Sequence, residues 1–153
     1  MRNRRLWKQN RFKVGVCIKH DFTPEQIRAL ADFWPVFANP KFVYETEDEH
    51  EKRSDGVIIM PSSSLSSEAK AFNKMIYQDE WILDGFDWPE WAQTDEFKDL
   101  FSKPEALAKA SAHQLAKLLT ALARKERFCE GTMASAHSDG LLARITQRAG
   151  MLV

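Results

Sequence analysis

The sequence predicts an α+β fold that is mainly helical. A small antiparallel sheet or hairpin belongs to the N-terminal half and a three-helix cluster to the C-terminus. Three observations carry this expectation. Capped segments with apolar residues at helical spacing recur from Thr23 to the end of the chain. Period-two alternation and short β-like runs are confined to the stretch before Pro61. Two glycines, Gly131 and Gly140, divide the last third into three helical segments.

Residues 1–11 read as a flexible basic arm, and residues 12–153 as a single globular domain. Phe12, Val14, Val16 and Ile18 alternate with Lys13, Gly15, Cys17 and Lys19, the pattern of a strand with one apolar face. Thr23-Pro24-Glu25-Gln26 is a helix start with N-cap, proline and capping box. Ile27, Leu30, Ala31, Trp34 and Phe37 share one face of that helix, which Pro35 bends or ends. Phe42-Val43-Tyr44 and Val57-Ile58-Ile59-Met60 are short strand candidates around the charged loop Glu45–Gly56. Pro61 to Ser67 reads as a serine-rich linker, with Ser66 or Ser67 capping a helix that carries Ala69, Phe72, Met75 and Ile76.

Trp81-Ile82-Leu83-Asp84 leads into a turn at Gly85–Trp91. Thr94 opens a short helix with Phe97, Leu100 and Phe101, and Pro104-Glu105 opens another turn of helix. Ser111-Ala112-His113-Gln114 is a second capping box, before a stripe of Leu115, Leu118, Leu119 and Leu122 that runs to about Arg127. Thr132–Ser138 and a segment from Leu141 through Arg148 complete the helices. The core expected from these faces comprises Leu115, Leu118, Leu122, Phe128, Leu142 and Ile145, joined by Trp34, Phe72, Trp88 and Trp91.

The chain has 153 residues, of which 44% are hydrophobic and 29% charged, a composition suited to one globular core. No apolar run reaches the ~18 residues of a membrane-spanning helix. The basic start is not followed by an apolar segment, so no secretory signal is expected. Two cysteines, Cys17 and Cys129, lie far apart, and reduced thiols in the cytoplasm are the expectation.

The formal net charge of zero hides a pattern. Residues 1–40 hold eight Lys/Arg against three Asp/Glu, residues 41–110 eight against sixteen, and residues 111–153 six against three. An acidic middle between basic ends neutralises itself within the fold or meets a charged partner.

Two stretches are distinctive: Gly85–Trp91, with FDWPEW, and Leu118–Gly131, which ends in RFCEG. With Met60-Pro61, and with Ala134-Ser135-Ala136 ahead of Asp139-Gly140, they resemble a family of small bacterial and phage proteins catalogued as a domain of unknown function. The resemblance covers Pro24 to Gly150. It implies a compact, mostly helical domain and no known chemistry.

Each distinctive residue has a packing role and a chemical one. Phe128 and Cys129 are expected to bury at a helix end that a left-handed Gly131 closes. The chemical alternative is a thiol or metal enzyme around Cys129 and His137, with Glu130 orienting the imidazole. His20, Asp21, His50 and His113 show no zinc-like spacing with them. There is no phosphate-binding glycine loop and no Gly-x-Ser-x-Gly elbow, and no cofactor is expected.

Asp79, Glu80, Asp84, Asp87, Glu90, Asp95, Glu96 and Asp99 are dense and interleaved with aromatics. Such a surface suits a host protein or complex with a basic groove, carboxylates standing in for phosphates. The expected function is therefore a non-enzymatic protein-interaction module. Its sharpest form is a phage or mobile-element inhibitor of a host nucleic-acid-targeting defence, as an anti-CRISPR protein is. A nucleic-acid-binding regulator using Arg2, Arg4, Arg5, Lys8, Arg11 and Lys13 is the alternative. Against it, Thr132–Ser138 offers no Arg or Lys to read bases. No membrane partner is expected.

Overall fold

The helices that start at Thr23, Ser66, Asp87, Thr94 and Ser111 open on side chains that cap them. The computed structural model describes residues 21–47, Gly56 and 63–153. Helix α1 (Pro24–Ala31) opens on a complete capping box: Gln26 N donates to Thr23 Oγ1 at 3.2 Å and Thr23 N donates to Gln26 Oε1 at 2.9 Å. The Gln26 amide also donates to the Asp79 carbonyl at 3.0 Å, tying the start of α1 to the end of α3 (Ser67–Gln78). Ser66 caps α3 by accepting from Ala69 N.

Pro35 ends the first helix, as expected. It has no N–H to continue the ladder, so the chain turns at Asp32-Phe33 and restarts as α2 (Trp34–Ala38) with Pro35 in its first turn. That break carries Trp34 off the buried face. Trp34 is 42% exposed, a correction to its expected place in the core. Phe33 packs there instead, edge-on to Phe72 with ring centroids 5.2 Å apart.

An antiparallel pair is present, but it sits C-terminal to the expected runs. Strand β1 (Glu45–Glu47) pairs with β2 (Ser63–Leu65), Glu45 opposite Leu65 and Glu47 opposite Ser63. Phe42 and Tyr44 are used for packing rather than for the ladder. Both rings lie against Phe37 and His137, and the buried Tyr44 hydroxyl donates to Asn73 Oδ1 at 3.1 Å. The expected serine linker is thus partly strand, and Ser66 within it is a cap. The strand expected over Phe12–Ile18 and the run Val57–Met60 lie outside the described residues.

Helix α3 closes with a turn that sets the direction of the next segment. Glu80 takes the left-handed conformation at φ +61°, Glu80 N donates to Tyr77 O at 3.4 Å and Trp81 N to Ile76 O at 2.9 Å. This is the Schellman closure, with glutamate where glycine is usual. It sends Trp81, Ile82 and Leu83 into the core, all buried. Helix α7 (Ala112–Glu126) receives them: Leu83 N donates to Thr120 Oγ1 at 2.9 Å, and the fully buried Thr120 hydroxyl donates to Ala116 O at 2.7 Å. A buried backbone N–H is thereby satisfied without a ladder.

Helices α4 (Trp88–Trp91) and α5 (Asp95–Ser102) pack on α7. Helix α6 (Pro104–Leu107) packs on α9 (Leu141–Met151), which also receives α1 and α2. Helix α8 (Thr132–Ser138) lies against both α7 and α9, giving the expected C-terminal cluster. Leu115, Leu118, Leu119 and Leu122 of α7 and Leu142 and Ile145 of α9 belong to one buried cluster that extends from Leu30 to Ala149. No described helix is long and apolar enough to cross a membrane.

Candidate functional site

The two distinctive stretches meet across an open cleft of about 870 Å³. One wall is Trp88 and Ala92, with Phe97 and Phe101 of α5. The floor is Ala121, Leu122 and Lys125 of α7. The other wall is the turn Phe128–Thr132 with Ser135, Ala136 and Asp139 of α8. Its size falls within the range of small-molecule clefts, and four of its lining residues are aromatic.

The first wall is held by a polar clamp on α7. Glu96 accepts from the Trp91 indole N–H at 3.2 Å and from the Gln114 amide at 3.2 Å, and Lys117 Nζ lies 3.6 Å from its carboxylate. The same ammonium stands 5.6 Å from the Trp91 ring and 5.9 Å from Phe86. Asp87 caps α4 through Glu90 N at 3.1 Å. Within this stretch Phe86, Trp91 and Asp87 therefore build the turn, and Trp88 is the residue it presents to the cleft.

Partial burial pushes the Glu96 carboxyl up, but the Trp91 and Gln114 hydrogen bonds and the Lys117 charge outweigh it and hold the group below its ordinary value. A depressed carboxyl contributes stability above its unfolded pKa, ordinarily 4.5, and loses it as pH falls through the lower folded value. Replacing Glu96 with Gln should therefore shrink the drop in urea midpoint between about pH 7 and about pH 3. An equal drop in both proteins would show that Glu96 does not carry this acid sensitivity.

The second wall corrects the sequence expectation. Phe128 is 80% exposed and Cys129 is exposed, rather than buried at the end of α7. Helix α7 ends at Glu126, and the chain turns through Phe128 and Cys129, whose N–H groups both donate to Lys125 O at 2.9 Å. The Phe128 ring is thereby left at the surface. Gly131 does adopt the left-handed conformation, φ +90°, but at the entry to α8.

Glu126 braces this turn. Gly131 N donates to one carboxylate oxygen at 2.9 Å and Met133 N to the other at 2.7 Å. A glycine before a helix has no side chain to offer the free N–H groups, so a nearby acid must supply the cap. That vacancy in the sequence was the signal for Glu126, and the sequence reading missed it.

The acidic residues do not form one uniform patch. Asp84 lies 3.5 Å from Arg124, Asp99 pairs with Lys103 at 2.9 Å, and Glu96 is satisfied internally. Asp79 offers its carbonyl to Gln26, and Glu80 occupies the strained left-handed turn. Glu90 and Asp95 are exposed and have no ion-pair partner among the described residues. None of the eight lines the cleft.

Cys129 and His137 line different cavities. His137 faces a smaller one with Phe37, Phe42 and Tyr44, its Nε2 3.4 Å from Phe42 O. Among the described residues no group of three His, Cys, Asp or Glu side chains is placed to hold a metal ion. Arg2, Arg4, Arg5, Lys8, Arg11 and Lys13, together with His20 and His50, lie outside the described residues, and Asp21 is exposed.

No curated protein and no solved structure matches the chain. A family model described as a family of unknown function (DUF6508) matches residues 22–153, and the chain belongs to that family.

Proposed function

We propose that the protein is a non-enzymatic interaction module whose binding face is the cleft between α5 and the turn from α7 to α8. The observation that supports this best is Phe128. A phenylalanine 80% exposed on a turn braced by two hydrogen bonds from backbone to Glu126 is presented, not stranded. Aromatic anchors beside an apolar pocket are the residues that dominate interfaces. Glu90 and Asp95, on the neighbouring α4–α5 segment, supply charge that steers a basic partner.

The finer version is an inhibitor from a phage or mobile element that covers the basic nucleic-acid-binding surface of a host defence complex. Its support is the acidic surplus of residues 41–110, sixteen Asp/Glu against eight Lys/Arg. The test is affinity capture from bacterial lysate, treated with nuclease, using the natural chain, Phe128→Ser, and Glu90→Lys with Asp95→Lys. A protein retained by the natural chain and lost from both variants is the expected result. Equal retention by all three would exclude this face, and capture of nucleic acid alone would exclude the protein partner. Glu96 is left intact because its reversal would break the clamp on α7.

A further inference from the structure

We infer that a small cavity between α6 and α9 binds a phosphate group, held by Arg144 and Arg148. It is a second site, sharing no lining residue with the cleft. Arg144 and Arg148 stand one helical turn apart on α9, so they share a face. Both line the cavity together with Leu107, Ala108 and Met151. Each guanidinium is anchored by a single hydrogen bond to a backbone carbonyl. Arg144 Nη1 donates to Asp139 O at 3.3 Å, and Arg148 Nε donates to Ala110 O at 2.8 Å. Both residues are half-buried, and Arg144 Nε is buried with no acceptor among the described residues. A guanidinium has several N–H donors in a rigid fork and does not lose its charge. Each arginine is thus fixed in place with most of its donors unspent, and a buried donor left over calls for an acceptor from outside the chain.

Charge selects the ligand. Neither arginine has an ion-pair partner among the described residues. The nearest acids in the chain do not supply one. Glu105, beside Pro104, is exposed and its charge acts on Lys103. Asp139 gives Arg144 its carbonyl and is itself an exposed residue of the cleft. Two half-buried cations without a counter-charge are costly unless an anion completes them. A carboxylate would offset one of the two charges. A phosphate group carries nearly two at neutral pH and offers three oxygens to the fixed N–H forks. The cavity, about 200 Å³, is smaller than the roughly 300–1,000 Å³ of clefts that hold drug-sized ligands, so it suits one anionic group rather than a whole nucleotide.

Titration of the purified full chain with inorganic phosphate tests this directly, followed through the arginine Nε–H signals in proton–nitrogen spectra with chloride adjusted to hold ionic strength constant. Saturable shifts of the Arg144 and Arg148 signals are expected, half-complete at about 1 mM or below. Arg144→Gln and Arg148→Gln should each weaken binding at least tenfold. Arg148→Lys keeps the charge but loses the fork, and should weaken it too. Thermal melting adds a readout that needs no variant: phosphate should raise the melting temperature of the natural chain above its value in chloride of equal ionic strength. Phenyl phosphate binding more tightly than inorganic phosphate would assign the site to a phosphate carried on an apolar group, and equal affinity would assign it to the free ion; both sustain the site. No saturable shift at either arginine up to about 20 mM phosphate overturns the inference. So does unchanged affinity in both glutamine variants, or binding that acetate matches at the same concentration.

Discussion

Trp81→Ala should destabilise the protein by about 3–5 kcal/mol, the range for removing a fully buried large aromatic side chain. Trp81 has no exposed surface, and its ring stacks on Phe22 with centroids 4.0 Å apart and planes 9° from parallel. The backbone around it is fixed independently. The Glu80 turn holds its N–H on Ile76, and Thr120 holds the N–H of Leu83 two residues on. The surroundings therefore cannot collapse into the space left, which places the loss high in the range. Trp81→Phe keeps a stacking ring and gives up no hydrogen bond, since the indole N–H has no acceptor among the described residues. It should cost far less. Urea unfolding of both variants checks this, with a melting shift on the order of 10 °C for the alanine variant. A loss for Trp81→Ala near that of an exposed position such as Trp34→Ala would refute the burial.

Trp81 also shows where the sequence is readable and where it is not. Thr23, Ser66, Thr94 and Ser111 cap the helices they were expected to cap, because a cap depends on residues within one turn of it. The α7 stripe is legible for a similar reason: helical spacing puts Leu115, Leu118, Leu119 and Leu122 on one face whatever they meet. Trp81 belongs to no periodic segment. Its burial depends on a left-handed glutamate and on Thr120 on a helix far along the chain, neither of which leaves a local pattern. The strands shifted for the opposite reason. Phe42 and Tyr44 have β-like character, but the aromatic cluster around Phe37 and His137 claims their side chains, and the short ladder forms beyond them.

The site divides along the same line. Both distinctive stretches are visible in the sequence: the first packs on α7, and the second is the end of α7 with the turn that follows it. That they face each other across one cleft depends on α5 and α8 lying on the same side of α7, which is tertiary information. Hydrophobicity alone puts Phe128 in the core. The turn that joins α7 to α8 puts it at the surface.

Glu126→Ala should cost about 2–4 kcal/mol and should also weaken binding at the cleft, although Glu126 does not itself line it. Its carboxylate accepts from two backbone N–H groups, and a hydrogen bond to a charged group contributes about 1.5–3 kcal/mol, less what water restores at a half-buried position. Helix α8 has seven residues and Gly131 before it offers no side-chain cap, so these two bonds are a large share of what orders its first turn. Hydrogen exchange gives the local readout: the Gly131 and Met133 amides should lose protection before the interior of α7 does. Glu126→Gln keeps one acceptor oxygen and should fall between the natural chain and the alanine variant in stability and exchange. The effect on binding separates presentation from contact. If Phe128 acts because Glu126 holds its turn in place, Glu126→Ala weakens association in the presence of an intact Phe128, and Glu126→Ala with Phe128→Ser is little worse than Phe128→Ser alone. If the double variant loses the full sum of both effects, the turn and the ring act separately and the brace serves the fold only.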